Sequence, residues 1–463
     1  MPERIAASFR DPSGHVYLQN GRVFRSISDA AAEEYRFVRD EGILGDLIAK
    51  GLLIPTEDIG LAEAGLDGVP GVSMAVEHPR LPFISYPYEW PFPALKAAAL
   101  LHLDLHIELI ERGATLSDAT AFNIQFCGPQ PIFIDLLSIR RYREGEYWAG
   151  YRQFCDQFLN PLLMRALLGI PYNAWYRGSP EGISAADLSR MLPWRRKISP
   201  RTFAHVVLQG RLQSGDAAES KVESVKSGRL SRTSFQGLLH QLRSWISGLT
   251  PADTGPTVWQ DYVDTHGYSS EEHEAKKSFV AAFVEAAKPG MLWDIGCNTG
   301  DFSEVALKAG AGKVIGFDMD QGALELAFER SRDRSLDFLP LYQDATNPSP
   351  DQGWRQRERD GMGGRADADA LLGLALVHHL AIGRNVPLSE VVDWLVGMAP
   401  QGVMEFVPKD DPMIQRMLML RDDIFDGYDY DRFSGLFKAR ARIVREQRVS
   451  QSGRMLVWYE RLP

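Results

Sequence analysis

The segment Trp293-Asp294-Ile295-Gly296-Cys297-Asn298-Thr299-Gly300-Asp301-Phe302-Ser303 combines two glycines with two acids just after a short apolar run. Glycine lets a backbone pass close to a ligand that a side chain would block, so Gly296 and Gly300 can frame a bound group. Asp318 closes the next apolar run, 18 residues after Gly300, and Asp344 closes the one after that. A carboxylate at the Asp318 position can accept both hydroxyls of a ribose. Farther along stand two adjacent histidines, His378 and His379, and then Glu405. Histidine is the side chain best suited to take up a proton near neutral pH. Ribose-binding acids and a group able to move a proton therefore occur in one stretch of chain.

Those residues need a scaffold that brings strand ends together. Apolar runs at Met291–Ile295, Lys313–Phe317, Asp337–Tyr342, Ala370–Val377 and Val403–Val407 alternate with helical stretches at Glu271–Ala287, Gln321–Arg330 and Leu388–Met398. Two last runs, Arg442–Val449 and Arg454–Glu460, are separated only by a Ser-Gln-Ser-Gly turn, which suits a hairpin. The expected fold is α/β: a doubly wound, Rossmann-like parallel sheet closed by an antiparallel hairpin, with the motifs at the carboxyl ends of its strands. The spacing lacks both the G-x-G-x-x-G of a nicotinamide or flavin site and the G-x-x-x-x-G-K-[ST] of a P-loop.

This ordered set resembles the class I S-adenosylmethionine-dependent methyltransferases, over residues 255–463. The resemblance implies S-adenosylmethionine as cofactor. Asp294, Gly296 and Gly300 would surround its methionine part with Asn298 nearby, Asp318 would hold the ribose, and Met319 would pack on the adenine. Asp344 would bind the adenine amino group, with Ala345 beside it. It further places His378 and His379 beside the transferable methyl group, where one of them could be the base, His379 preferred, or both could merely shape the pocket. Glu405 is a second candidate for substrate contact, or else a strand-end acid satisfying helix N–H groups. No Asn/Asp-Pro-Pro-Tyr sequence, the mark of enzymes that methylate amide or base nitrogens, is present. The run His378-His379-Leu380-Ala381-Ile382-Gly383-Arg384-Asn385-Val386-Pro387-Leu388, followed by Glu405-Phe406-Val407-Pro408-Lys409, is similar to bacterial nodulation-type methyltransferases with a long N-terminal extension.

The first half carries a different pattern. Asp118 and Asn123 stand five apart, and Asp135 follows twelve residues later at the end of an apolar run. The order resembles the catalytic and metal-binding loops of the protein-kinase-like fold: base Asp, metal Asn, metal Asp. Leu116-Ser117 replaces the expected His-Arg, Leu136-Leu137 replaces Phe-Gly, and residues 10–85 show no glycine-rich loop followed by a strand lysine. The expectation is an α+β, degenerate kinase-like domain that docks substrate or covers the methyl site. Active phosphotransfer, or an unrelated domain in which Asp118 and Asn123 make turn hydrogen bonds, are the alternatives. His102 and His106 share a helix face but lack the Glu of H-E-x-x-H, so they read as core residues; no metal is expected.

With 463 residues, 44% hydrophobic and 24% charged, the chain has material for two domains with real cores. The expected division is 1–209 for the kinase-like domain, 210–254 for a Gly/Ser-rich linker and connecting helix, and 255–463 for the methyltransferase domain. A net charge of −10 offers nucleic acid no broad surface, although residues 190–243 are locally basic around Arg195, Arg196 and Lys197. Three scattered cysteines and no signal peptide or membrane-spanning run point to a cytoplasmic protein. The function expected is methyl transfer to an oxygen of a small metabolite or glycan precursor. The alternatives are a protein or RNA acceptor, or a non-catalytic binding protein. Oligomeric state is not legible.

Overall fold

The computed structural model describes residues 2–213, 229–252, 270–419 and 421–463. Two compact units divide the chain: Met1–Asp253 with Asp351–Arg359, and Thr254–Pro350 with Asp360–Pro463.

The second unit is built on one seven-stranded sheet. Its strands are β10 (Met291–Ile295), β11 (Lys313–Asp318), β12 (Phe338–Tyr342), β13 (Ala370–Gly373), β14 (Gln401–Phe406), β15 (Ala441–Arg448) and β16 (Met455–Arg461). The spatial order is β12-β11-β10-β13-β14-β16-β15. The first five run parallel and β16 lies antiparallel to β14, so the order reverses beside β10. That reversal is where a doubly wound sheet opens a crevice at its strand ends. Every residue of β10 is buried, as expected for a strand covered on both faces. The helix Ser270–Ala287 buries Phe279, Val280, Phe283 and Val284 against Leu292, Leu372 and Val403 of the sheet. Their spacing is that of one helical face.

The expected strand over 370–377 stops at Gly373. The backbone turns there because Ala375 takes a left-handed conformation and its N–H donates to Glu405 Oε2 at 2.8 Å. The last two runs form the hairpin, with a register shift between Ile443 and Arg445.

The first unit begins with a five-stranded antiparallel sheet: β1 (Glu3–Arg4), β2 (Val16–Gln19), β3 (Arg22–Ser28), β4 (Glu57–Ile59) and β5 (Val72–His78), in the order β1-β2-β3-β5-β4. A long helix, Phe92–Glu111, follows, then β6 (Ala114–Leu116), a hairpin of β7 (Ile124–Cys127) with β8 (Gln130–Phe133), and β9 (Ile139–Arg141), which pairs with β6. His102 and His106 are fully buried in that helix, among Trp148, Phe154, Phe158 and Phe235. The helix Arg232–Ser247, capped by Ser231, buries Phe235, Leu239, Leu242 and Ile246 and packs on Phe92–Glu111. It is clamped by an Arg243–Asp104 ion pair. It therefore belongs to the first unit, and most of the Gly/Ser-rich stretch before it lies outside the described residues. Asp351–Arg359 also departs from the expected boundary and counts with the first unit: Glu358 pairs with Arg10, and Arg359 stacks 3.9 Å over the Phe122 ring.

Candidate methyl-transfer site

At the carboxyl ends of the sheet of the second unit lies a cavity of about 630 Å3. That volume is in the range of pockets holding small molecules and cofactors. Of the residues expected to bind cofactor, Asp294, Gly296, Asn298, Asp318, Met319, Asp344 and Ala345 line it.

Asp294, at the end of β10, is buried and accepts a hydrogen bond from Ser303 Oγ at 2.7 Å. Burial pushes its carboxyl up to about 6, partly opposed by the Ser303 bond. Asp318, at the end of β11, accepts the Asn298 N–H at 2.8 Å and the Asp320 N–H at 2.9 Å, one on each oxygen. Burial raises its carboxyl while these amides oppose the rise. Each oxygen keeps a lone pair, so the carboxylate is oriented and still able to accept two hydroxyls. Asp344 accepts the Thr346 N–H at 2.9 Å and the Thr346 hydroxyl at 2.6 Å, both on Oδ1. Met319 stands 41% exposed on the wall.

Gly296 and Asn298 both have positive φ, +82° and +49°, which turns the chain sharply out of β10. A Cβ at Gly296 would make only an ordinary contact, 3.7 Å from Leu376 Cδ1, so the left-handed backbone is what favours glycine here. Gly300 differs from expectation. It does not line the cavity; a Cβ there would stand 2.5 Å from the Phe338 ring, and the φ of +81° independently favours glycine.

The three residues expected near the methyl group separate. His379 lines the cavity; His378 and Glu405 do not. His378 is fully buried against the His379 ring, at 4.1 Å between centroids, and neither ring nitrogen has a hydrogen-bond partner among the described residues. Burial, then the neighbouring His379, holds it well below the ordinary histidine value. Burial and Arg454 lower His379 to about 4, so its imidazole is neutral at physiological pH.

Glu405 has 0% exposure and is an ion-network member behind the wall. It pairs with Lys276 Nζ at 2.6 Å and approaches Arg454 at 3.8 Å. Arg454 in turn grips Asp411 in a two-pronged bond of 2.7 and 2.9 Å. Lys276 lines the cavity, and its ammonium lies 4.7 Å over the Phe302 ring. Burial lowers the Lys276 pKa and Glu405 partly restores it. Asp411 caps the helix Pro412–Leu418, whose Met413, Arg416 and Met417 form another part of the wall. The network thus ties three wall segments together. None of Lys276, Arg454 or Asp411 was expected from sequence. The available signal was Lys276, a cation three residues before Phe279 on the apolar face of its helix.

In the first unit, Asn123 Nδ2 donates to Asp118 Oδ1 and to Asp135 Oδ2, each at 3.2 Å. The Arg25 guanidinium, from β3, pairs with Asp135 at 2.6 Å and Asp11 at 2.5 Å. Burial, with Asp135 adding repulsion, pushes Asp118 up to about 7. The sequence brought the first three residues to notice but not Arg25, one of two arginines in β3.

A cavity lined by acids at three successive strand ends, beside a sheet-order reversal, has the acceptor set that S-adenosylmethionine needs. Gln343 Nε2 supports this, a buried donor on the cavity wall with no partner among the described residues. The protein is a class I S-adenosylmethionine-dependent methyltransferase. Residues 274–368 match the FtsJ-like methyltransferase family. The chain belongs to the family of nodulation protein NoeA: it is 46% identical to NoeA of Rhizobium meliloti (strain 1021) over 464 residues, 99% of this chain and 96% of that one. It is also 26% identical over 117 residues to ribosomal protein L11 methyltransferase of Caldanaerobacter subterraneus subsp. tengcongensis, covering 22% of this chain and 38% of that protein. Among solved structures it is similar to N-methyltransferase NodS from Bradyrhizobium japonicum WM9 in complex with S-adenosyl-L-homocysteine, at 12% identity and TM-score 0.31, covering 42% of this chain and 88% of that one. No helix among the described residues is long and apolar enough to cross a membrane.

Proposed function

We propose that the acceptor is an oxygen of a small metabolite or glycan precursor, with the first unit, a degenerate kinase-like domain, helping to bind it. The observation that carries the reading is His379, neutral and on the cavity wall at the exit of β13. When bound, the cofactor would supply an electrophilic methyl and leave as S-adenosylhomocysteine. The neutral imidazole of His379 would take up the proton that the acceptor hydroxyl loses as it is methylated. The Asp318 and Asp344 carboxylates orient the cofactor, and the Lys276–Glu405–Arg454–Asp411 network keeps the facing wall rigid.

The kinase-like reading rests on the antiparallel sheet followed by a helical region, and on Asp118, Asn123 and Asp135 converging. Arg25 balances Asp135 from within the chain, which favours a binding over a phosphoryl-transfer role. A second reading, a protein or RNA acceptor, draws support from Trp194, 67% exposed amid Arg195, Arg196 and Lys197.

Methyl-labelled S-adenosylmethionine, purified protein and host extract separated into small-molecule, glycan, protein and RNA fractions test the choice. Label is expected in the small-molecule or glycan fraction. Label in protein or RNA instead would overturn the acceptor assignment.

A further inference from the structure

The cavity wall is divided by charge. The wall from residue 294 to residue 346 contributes the strand-end acids Asp294, Asp318 and Asp344, with Asp301 at the start of the helix Asp301–Lys308. The wall from residue 374 to residue 417 contributes no acid but two arginines, Arg384 and Arg416, set among Leu376, Leu380, Trp394 and Met417. The acidic half would take the hydroxyls and amines of the cofactor. The other half carries His379, so an acceptor would lie against it.

Both arginines are exposed at the cavity, and neither guanidinium has a hydrogen bond, ion pair or ring contact among the described residues. Other cavity cations differ: Lys276 is consumed by Glu405. The backbone under each free arginine is held. Arg421 donates to the Ile382 carbonyl at 2.8 Å and to Asn385 Oδ1 at 2.6 Å, which staples the turn that carries Arg384. Arg416 sits on the helix capped by Asp411, which Arg454 grips from the hairpin. Two forks on anchored supports, unpaired and beside an apolar slot, suit an anion whose charge binds at the mouth while its body enters the slot.

We propose that the methyl acceptor carries a phosphate or carboxylate group bound by Arg384 and Arg416. This rests on the acceptor being a small molecule or glycan precursor, as argued above. It narrows that class to acidic sugars, sugar phosphates and comparable anions. Arg384 and Arg416 are then specificity-determining residues and take no part in the methyl transfer itself.

Full-length protein saturated with S-adenosylhomocysteine, at low salt, is titrated calorimetrically with glucose 1-phosphate, glucuronate and glucose. At least one of the two anions is expected to bind, glucose is not, and R384Q and R416Q are each expected to weaken the anion by about tenfold. Tighter binding of glucose 1-phosphate assigns a phosphate, and tighter binding of glucuronate a carboxylate. Binding of neither anion, equal binding of glucose, or affinities unchanged in both variants would overturn the proposal. No turnover is read, so this failure is distinct from label entering protein or RNA.

Discussion

Replacing Arg454 with methionine is expected to lower the stability of the second unit by about 3–5 kcal/mol, the usual cost of removing one member of a buried ion network. Lys276, Glu405, Arg454 and Asp411 are each at most 4% exposed in their side chains, and their formal charges sum to zero. Without Arg454, Asp411 stays buried with its neutral partners, Ser452 and the Met413 N–H. Burial alone pushes the Asp411 carboxyl up; the Arg454 bond is what takes it below its ordinary value. Urea unfolding followed by tryptophan fluorescence measures the loss, which should appear as a lower midpoint with an unchanged slope. A loss below about 1 kcal/mol would place the network among ordinary surface pairs. The pair replacement Lys276→Met with Glu405→Leu should cost less than Glu405→Leu alone, because it removes both charges together.

His379→Ala is expected to reduce kcat by about a hundredfold while the affinity for S-adenosylhomocysteine stays the same. General bases contribute about 10²–10⁴-fold, and an imidazole whose pKa is lowered belongs at the low end of that range. The pH profile separates this role from mere packing. An ordinary histidine base loses half its active form near pH 6.5. Here the pKa is depressed to about 4, so the neutral, proton-accepting form persists as the pH falls and is lost only on approaching 4. The wild-type rate should therefore stay level between pH 8 and pH 5.5 as far as this group is concerned. His378→Ala should leave that plateau in place, since His378 is sealed behind the wall. A His379→Ala variant with turnover within a few-fold of wild type would make the residue a shaper of the cavity only.

Much of the second unit was legible because central parallel strands read as apolar runs, and Met291–Ile295 and Leu388–Met398 fall where the pattern puts them. Positions at strand ends are local information, so Asp294, Asp318 and Asp344 could be found by order along the chain. Phase around a turn is not local information. Two neighbouring histidines look alike in sequence, and the backbone turn at Ala375 decides that His379 faces the cavity while His378 faces inward. Long-range charge pairing is harder still. Lys276 and Glu405 are 129 residues apart, and only the packing of the helix Ser270–Ala287 on β14 brings them together. Gly300 shows the converse: a glycine read as a ligand-facing position is favoured by the Phe338 ring and a φ of +81° instead. In the first unit nothing in sequence separates Arg25 from Arg22 of the same strand; burial and the distant partners Asp11 and Asp135 do so.

The most direct test of the account is the affinity for S-adenosylmethionine, measured by calorimetry on the full-length protein and on its Asp318→Asn variant. Asn298 and Asp320 donate backbone N–H groups to Asp318, and asparagine keeps the shape while losing the charge and half the acceptor capacity. One bound cofactor per chain is expected, with a loss of at least about tenfold in the variant, the worth of a charge-assisted hydrogen bond. Wild-type protein that fails to bind S-adenosylmethionine, or a variant that binds it as tightly, would contradict the assignment of the cavity.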